Sequence, residues 1–351
     1  MVRASIARFG VAIVVAIAVL FAVAPLQAAE NKAYTVTPLV SDQPGVAPTV
    51  DPLLVNAWGL AASSTSPWWV ADNETSASTL YTGSGQKLAL EVSVGTDSGP
   101  TGLVFNGGAG FEVTNGTSSA PARFIFDAED GVIYGWSPMV DSTHALAAAI
   151  GPDGAIYKAL AIAAGMLYAA DFHNNAVDVF DGSWHLVNQF TDPLLPNGYA
   201  PFGIQAINGL IYVTFAKQDA EQEDEVAGQG LGFVDAFDTE GNLVRRVAMR
   251  GRLNAPWGLA LAPGNFGRFG GDLLVGNFGD GTINAFSQSP TGLYIPAGQL
   301  RDSSTGNPIA IDGLWALGFG NGAASGPTNS LYFTAGPDDE SHGLFGSITA
   351  G

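Results

Sequence analysis

The chain of 351 residues contains no cysteine. Disulfide bridges, thiolate metal sites and cysteine nucleophiles are therefore excluded, and the fold depends on its apolar core alone. Charged residues are also scarce, at 13%, and 32 Asp and Glu against 13 Lys and Arg give a formal net charge of -19. A surface this acidic repels phosphate backbones, which excludes nucleic acid as an expected partner and suits cations, basic partners or neutral sugars. The alternative is that the charge only keeps an exported protein soluble.

Long apolar runs are also lacking after the N-terminus. The run over residues 11–23 follows Arg3 and Arg8 and precedes small residues, an order that predicts a cleaved signal peptide over residues 1–29. The alternative is a membrane anchor, but the run is shorter than the about 20 residues that a spanning helix needs. We expect no membrane span after cleavage and an exported protein, periplasmic or extracellular.

One pattern recurs along the rest of the chain. An aromatic residue or proline precedes Gly-Leu-Ala or a relative, and a turn then leads to an apolar strand with a polar end, as from Trp58–Ala61 to Trp68–Asn73. Copies are about 51 residues apart on average. The equivalent positions are Gly59, Gly102, Ala159, Gly203, Gly258 and Ala316.

Repeats of this length made of short alternating strands are typical of β-propellers. The six copies predict an all-β, six-bladed propeller over residues 30–351. The last copy has room for about three strands, so residues 33–37 are expected to supply an outer strand and close the ring. Two β-sandwiches are the alternative, which the even repeat without a central linker disfavours.

The recurring polar and aromatic residues are expected on one face. In an antiparallel blade the start of the innermost strand and the end of the second strand lie at the same end. The acidic segment 219–225 falls in an equivalent loop and is expected to overhang that face. The candidate ligand-binding residues are Trp58, Phe202, Lys217, Gln218, Trp257 and Trp315.

Oxygen-bearing residues on the same face are candidate metal ligands. Calcium prefers carboxylate and amide oxygens, so it is the expected ion if one is bound. The candidate ligands are Asp72, Asp171, Asn277 and Asp280. His173 is the candidate catalytic base, although a lone histidine here also suits a turn.

Each feature has a structural alternative. The aromatic residues suit wedges between blades, the Asp and Asn residues suit turn caps, and the acidic segment suits a solvated loop. The sequence lacks the nucleophile elbow of α/β-hydrolases, a phosphate-binding loop and a dinucleotide fingerprint, and the acidic segment lacks the central glycine of an EF-hand.

Several segments carry a family resemblance. They include Leu39–Gly85, Tyr199–Gln205, Tyr212–Ala220, Pro256–Pro263, Leu274–Gly281, Asp312–Trp315 and Leu331–Gly336. The chain resembles an uncharacterised family of exported bacterial proteins related to NHL-repeat propellers, whose members often carry a PEP-CTERM tail. No such tail follows residues 347–351, so release rather than surface sorting is expected. The resemblance implies no catalytic residue.

Three functions stay open from the sequence. The first is an exported propeller that binds a glycan, peptide or protein partner on its loop face, since aromatic residues around a polar opening suit sugar stacking. The second is a metal-dependent hydrolase or lactonase, in which a cation in the central channel polarises an ester. The third is a structural matrix component.

Overall fold

The computed structural model describes Met1 and residues 33–351. The predicted signal peptide lies outside the described residues. The described part is all-β, apart from two short 3-10 helices over Asn73–Thr75 and Gly267–Phe269. Within it, no helix has the length and apolar character needed to cross a membrane.

The strands form six groups, and each group is named from its inner strand. The groups follow one another along the chain, except that group 6 also includes the first two strands of the chain. Group 1 contains β3 (Ala57–Ala61), β4 (Trp68–Asp72), β5 (Ala77–Tyr81) and β6 (Val92–Val94). Group 2 contains β7 (Pro100–Phe105), β10 (Phe124–Ala128), β11 (Val132–Trp136) and β12 (His144–Ile150), with a small hairpin of β8 (Glu112–Thr114) and β9 (Ser119–Pro121). Group 3 contains β13 (Tyr157–Ala163), β14 (Met166–Asp171), β15 (Ala176–Phe180) and β16 (Leu186–Phe190).

The remaining three groups repeat this order. Group 4 contains β17 (Tyr199–Ile207), β18 (Leu210–Lys217), β19 (Gly232–Phe237) and β20 (Leu243–Met249). Group 5 contains β21 (Pro256–Leu261), β22 (Leu273–Asn277), β23 (Ile283–Gln288) and β24 (Tyr294–Gln299). Group 6 contains β25 (Leu314–Phe319), β26 (Ser330–Ala335), β27 (Leu344–Ala350), β1 (Tyr34–Ser41) and β2 (Thr49–Val50).

Successive strands of a group pair antiparallel, and the inner strands of successive groups lie against each other. The inner strand of group 6, β25, also contacts that of group 1, β3. Groups 1 and 2 share one eight-stranded sheet because β6 and β12 pair in parallel; this sheet nearly closes on itself, since β3 also contacts β7. All-β architecture is therefore confirmed.

The N-terminal strand completes group 6. β1 pairs antiparallel with β27, from Tyr34 opposite Ala350 to Ser41 opposite Leu344. The buried Tyr34 hydroxyl donates a hydrogen bond to the Phe266 carbonyl and accepts one from the Phe269 amide, both in group 5. The two ends of the described chain are thereby joined to each other and to the neighbouring group.

Every inner strand carries a β-bulge at the aromatic-glycine step of the repeat. In β3, for example, Ala57 pairs with Asp72 and Leu60 pairs with Val70, which leaves Trp58 and Gly59 without ladder partners. A bulge re-aims side chains and increases local twist. The six bulged residues that precede the equivalent small residue are Trp58, Thr101, Lys158, Phe202, Trp257 and Trp315, and all are buried.

The small residue of the repeat allows adjacent inner strands to approach closely. A Cβ on Gly59 would lie 2.4 Å from the Thr101 carbonyl oxygen, and one on Gly203 would lie 2.1 Å from that of Trp257. No real Cβ tolerates such contacts. Glycine at these positions is therefore required by the packing of one group against the next.

Candidate functional site

An aromatic plug occupies the axis at the end where the inner strands begin. Trp315 stacks on Trp58 with ring centroids 3.7 Å apart, and on its other side it stacks on Phe278 at 4.0 Å. Phe202 and Trp257 meet Trp315 edge-on at 5.8 and 5.9 Å. Offset-stacked and edge-on pairs suit the ring quadrupole, so these five residues stabilise one another.

The channel below the plug is narrow. A void of about 30 Å³ is lined by residues of all six inner strands, and a wider cavity of about 360 Å³ follows at the other end of these strands. The central channel is therefore closed at the plug and opens on the opposite face.

Lys158 is the one charged member of the six bulged residues. Only 1% of it is exposed, and its ammonium nitrogen lies 2.6 Å from Glu129 Oε1 and 3.1 Å from Asp224 Oδ1. The ammonium also lies over the Trp58 ring, 5.3 Å from its centroid. Burial lowers the pKa of Lys158, but the two carboxylates outweigh it and the net pKa is raised, so Lys158 is charged.

A hydrogen-bonded rim network extends from this ion pair. Glu129 Oε2 accepts a bond from Asn73 Nδ2 at 3.0 Å, and Asn73 Oδ1 accepts one from Asn56 Nδ2 at 3.2 Å. The buried Asn56 also donates to Glu340 Oε2 at 2.6 Å and accepts from Trp315 Nε1 at 2.9 Å. We define the rim network as Asn56, Asn73, Glu129, Lys158, Asp224 and Glu340.

All six groups reach this network. Glu129 follows the second strand of group 2, Asp224 belongs to a loop of group 4, and Trp257 of group 5 donates its indole N–H to the Lys158 carbonyl at 3.0 Å. Because each group contributes a residue at the same end, the polar and aromatic corners of the repeat converge on one rim.

Carboxyl groups outnumber the ammonium at this rim. Burial raises the pKa of Glu225 to about 8 and that of Glu340 to about 7, and the negative charge of Asp224 adds to both shifts. Half-buried carboxyls whose pKa values lie near neutrality are common in functional sites. The rim therefore has a negative charge that depends on pH in the neutral range.

The acidic segment, residues 219–225, covers the rim. The Asp219 amide donates to the Asp224 carbonyl, and Glu225 forms a bridge with the buried Gln218. Asp224 itself is 71% exposed while it contacts Lys158. Lys158 thus anchors the segment. Glu221 and Glu223 face solvent, whereas Asp219 and Glu225 are half-buried.

The structure brings four predicted ligand-binding residues together but buries them. Trp58, Phe202, Trp257 and Trp315 are at most 8% exposed. Rings from the inner strands of groups 1, 4, 5 and 6 meet at the axis, so they pack on each other and leave no free face for a sugar. Ligand binding by these four residues stays a prediction. Direct stacking of a glycan on their rings would require the plug to open.

The other two predicted ligand-binding residues belong to group 4. Gln218 is buried, and its amide donates to the Phe172 carbonyl at 2.7 Å. Lys217 is half-buried with its ammonium over the Tyr199 ring, 5.6 Å from the centroid. Both lie at the base of the acidic segment and support its position.

The predicted metal ligands lie at corners of three different groups. The carboxyl of Asp72 is fully buried, both its oxygens lack a hydrogen-bond partner among the described residues, and burial raises its pKa well above the usual range. Asp171 accepts bonds from the backbone and side chain of Asn174. Asn277 and Asp280 bond to each other and to Thr282.

The bonds of Asp171, Asn277 and Asp280 tie turns, whereas the oxygens of Asp72 have no partner among the described residues but are fully buried. Among the described residues, no group of three or more His, Asp and Glu side chains is arranged to hold a metal ion. Calcium binding by Asp72, Asp171, Asn277 and Asp280 stays an untested prediction.

His173, the predicted catalytic base, lies in the turn after β14. Its carbonyl accepts a bond from Gln218 Nε2 at 3.4 Å, its ring packs on Gly154, and its buried Nδ1 has no partner among the described residues. No hydrogen bond in the described structure connects its imidazole to the rim network. A catalytic role for His173 stays a prediction.

The sequence interpretation missed Lys158 and Glu129 as site residues. A signal existed, because Lys158 stands in the third copy where Trp58, Trp257 and Trp315 stand in other copies. A lysine at a position that is aromatic in four of the six copies predicts a buried cation with a carboxylate partner. Which carboxylate approaches it depends on the closure of the sheets, which no local pattern shows.

Two similar proteins come from Acanthamoeba polyphaga mimivirus, and both are named uncharacterized. One is 35% identical over 327 residues, covering 88% of this chain and 78% of its own length. The chain belongs to the family of these proteins. The other member is 34% identical over 327 residues, covering 88% of this chain and 84% of its own length. A scan against protein-family models finds no match.

Solved structures that are similar to this chain include propellers. A streptogramin B lyase is 12% identical, covers 92% of this chain and all of its own, and superposes with a TM-score of 0.54. The soluble aldose sugar dehydrogenase of Escherichia coli is 12% identical and superposes with a TM-score of 0.54. The match covers 91% of this chain and all of the dehydrogenase chain. The WD40 β-propeller domain of Doa1 is 11% identical and superposes with a TM-score of 0.50. The match covers 89% of this chain and 96% of that domain. At such identities the likeness shows a propeller-type fold alone.

Proposed function

We propose that this protein is a binding module that holds a basic peptide segment of a partner protein on its acidic rim. The observation that carries the proposal is the rim itself, where Glu129, Asp224, Glu225 and Glu340 surround the single buried ammonium of Lys158. An incoming lysine or arginine side chain finds oxygen acceptors here that Lys158 does not neutralise.

The choice of a basic peptide follows from what the rim exposes. The four tryptophan and phenylalanine residues of the plug that come from inner strands are at most 8% exposed, so their ring faces are not available to a glycan. The acidic segment instead presents Glu221, Glu223 and Asp224 to solvent in a chain with a net charge of -19. Charge complementarity of this kind accelerates encounter and selects partners by sign. A linear basic segment can contact several of these carboxylates at once.

Isothermal titration with octalysine as the probe tests the proposal, with octaglutamate as the charge control. We expect saturable binding of octalysine that weakens with salt. At a pH of about 9, where both Asp224 and Glu225 are ionised, the paired substitution Asp224→Asn with Glu225→Gln removes two charges from the rim and should weaken binding by about tenfold.

The matched control removes two charges at the opposite end of the sheets. Glu112 lies in the β8–β9 hairpin and Glu240 in the turn between β19 and β20, both exposed and away from the rim. Glu112→Gln with Glu240→Gln should leave octalysine binding within about twofold of the native value. Equal losses in the two paired variants would mean that only net charge matters and would overturn a specific rim site.

An enzyme is the second candidate, and one observation favours it. The half-buried carboxyls of Glu225 and Glu340, with pKa values of about 8 and about 7, lie in one cluster with the ammonium of Lys158. Groups that titrate near neutral pH suit general acid–base catalysis. The lyase and dehydrogenase neighbours support the general idea that such a fold can carry an active site.

The metal-dependent form of the enzyme hypothesis has weaker support. The plug and the Lys158 ammonium occupy the rim end of the channel, so a cation there would be repelled by a neighbouring positive charge. Ester and lactone hydrolysis, measured with and without added calcium, tests it. Activity that requires calcium would favour the hydrolase; activity lost in Glu225→Gln without calcium dependence would favour acid–base catalysis.

The blade number belongs to the same proposal. The contact of β25 with β3, and the pairing of β1 with β27, support a closed ring of six blades that correspond to groups 1–6. A crystal structure with β25 packed on β3 would establish it. Two separate sandwiches would refute it.

Export completes the proposal. The basic and apolar pattern of residues 1–29 supports a cleaved leader, and the resemblance to exported bacterial proteins supports release to the periplasm or medium. N-terminal sequencing of the protein recovered outside the cytoplasm should begin near residue 30. A full-length chain retained in the cytoplasm would contradict export.

A further inference from the structure

One cavity lies away from the rim network, at the outer edge between groups 4 and 5. Its volume is about 590 Å³. One wall is the end of β20 with the turn that follows it, residues 246–253, and the other walls are residues 284–286 of β23 and 296–298 of β24. Most of its lining is apolar, including Val247, Leu253 and Phe286.

Asn284 on the wall of this cavity has an unused donor. Only 2% of Asn284 is exposed, and its amide nitrogen has no hydrogen-bond partner among the described residues. A buried amide without a partner costs about 1–3 kcal/mol. The nitrogen itself is buried behind the cavity wall, so the Asn284 side chain must turn toward the cavity to donate to a ligand, and it breaks no side-chain hydrogen bond of the described residues when it does so.

The repeat shows that this unused donor is specific to group 5. The equivalent third-strand residues are Asp178 in group 3 and Asp235 in group 4. Each is bonded to the residue opposite it on the fourth strand: Asp178 accepts from Gln189 at 2.8 Å, and Asp235 accepts from Arg246 at 2.6 Å.

In group 5 the residue opposite Asn284 bonds elsewhere. Gln299 faces Asn284 across the β23–β24 pair, but its side-chain oxygen accepts a bond from Arg252 at 2.8 Å. The Arg252 guanidinium and the unused Asn284 amide therefore lie at the same end of the cavity. Both offer N–H donors.

Positive charge is concentrated at this cavity. Three of the 13 Lys and Arg residues of the acidic chain, Arg246, Arg250 and Arg252, line it. Arg246 is neutralised by Asp192 and Asp235. Arg250 and Arg252 are exposed and form no ion pair among the described residues. A chain that is otherwise strongly acidic thus offers a local anion site beside an apolar wall.

We propose that this cavity binds a small amphiphilic carboxylate. The carboxylate accepts hydrogen bonds from Asn284 Nδ2 and the Arg252 guanidinium, Arg250 adds positive potential at the edge, and the apolar part of the ligand lies against Val247, Leu253 and Phe286. The combination of a charged head and an apolar body matches a cavity whose polar lining donates and whose remaining lining is apolar. This site is independent of the proposed peptide-binding rim.

The experiment measures binding of decanoate, kept below its micelle concentration, by isothermal titration. Decylammonium and decanol are the charge controls. We expect saturable 1:1 binding of decanoate, with decylammonium and decanol weaker by at least about tenfold. Absence of saturable decanoate binding, or equal binding of decylammonium, would overturn the proposal.

Two variants locate the site. Asn284→Asp replaces the donor by a carboxylate of nearly the same shape, and Gln299 stands opposite it as Gln189 stands opposite Asp178, so its amide can donate to the new carboxylate. Arg252→Gln removes the exposed guanidinium. Each should weaken decanoate binding by at least about tenfold.

The matched control is Arg123→Gln, which removes an exposed arginine that lies over the Phe105 ring in group 2. It should leave the decanoate affinity unchanged. Native-like affinity in both Asn284→Asp and Arg252→Gln, or an equal loss in Arg123→Gln, would refute the assignment of the ligand to this cavity. Octalysine binding at the rim should be the same in all three variants.

Discussion

The ammonium nitrogen of Lys158 lies 2.6 Å from Oε1 of Glu129, although Lys158 is 1% exposed and Glu129 is 34% exposed. The pair joins the inner strand of group 3 to the corner of group 2, and Asp224 extends it to the acidic segment. A buried cation with two partly exposed carboxylates holds a surface loop over the axis. Lys158 therefore adds a core anchor to the loop, whose base is held by Lys217 and Gln218.

Lys158→Met should release the acidic segment without unfolding the protein. Methionine fills a similar volume, and Glu129 and Asp224 can reach water once the ammonium is removed. We expect cleavage in the segment by a glutamyl endopeptidase to rise by at least about threefold. Octalysine should bind more tightly, because the rim network loses the positive charge of Lys158.

Lys87→Met is the control for this substitution. Lys87 also lies between two carboxylates, those of Asp51 and Glu91, but it contacts no residue of the acidic segment. Cleavage of the segment and octalysine affinity should be unchanged in it. If both lysine variants expose the segment equally, the anchor assigned to Lys158 is wrong.

Gly203→Ala should destabilise the fold by about 2 kcal/mol or more, because the new methyl group would collide with the backbone oxygen of Trp257, which cannot move without shifting β21. Gly264→Ala is the matched control, since a Cβ there meets nothing within 4 Å. Urea denaturation of the two variants measures the difference. Similar midpoints would show that the inner strands are not packed as closely as described.

Stability should decline as pH rises through neutrality. Burial raises the pKa of Asp127, Asp235 and Glu340 to about 7 and that of Glu225 to about 8, whereas unfolded carboxyls titrate near about 4. The folded state therefore binds more protons than the unfolded state, and this contribution to stability is lost as pH rises through the folded values. Thermal melts between pH of about 5 and about 9 should show a falling midpoint.

Asp127→Asn should reduce the fall of the thermal melting midpoint with rising pH. Asp127 Oδ1 accepts bonds from the Thr101 hydroxyl and the Gly102 amide, which asparagine preserves, but Oδ2 is buried without a partner. The melting midpoint of the variant should be close to that of the native protein at mildly acidic pH and higher than it at alkaline pH. A pH slope equal to that of the native protein would show that Asp127 does not contribute to the decline.

Tyr34→Phe should weaken the junction of the chain ends by about 1–3 kcal/mol, because two buried backbone groups, the Phe266 carbonyl and the Phe269 amide, lose their partner. Tyr199→Phe is the control, since the Tyr199 hydroxyl makes no hydrogen bond in the described part of the chain. The free energy of unfolding in urea should fall in the first variant only. An unchanged value for Tyr34→Phe would show that the hydroxyl is not needed at this junction.

The sequence by itself determined the all-β class, the spacing of the groups and the N-terminal closing strand. Alternating apolar residues mark the strands of the repeat, and a small residue recurs in all six copies, as glycine at Gly59, Gly102, Gly203 and Gly258, because strand pairing and close approach act locally. The same pattern placed Trp58 and Trp315 together at one end. These predictions required no knowledge of which groups lie side by side.

Tertiary structure alone decided what those residues do. Closure of the inner strands stacks Trp58 on Trp315 and buries both, so residues that suggested a sugar platform form the plug. Closure also brings Glu129 to Lys158 and Arg252 near Asn284, pairs that are 29 and 32 positions apart in the chain. Such contacts depend on long-range packing and burial, which set hydrogen-bond partners and pKa values and leave no periodic trace in the sequence.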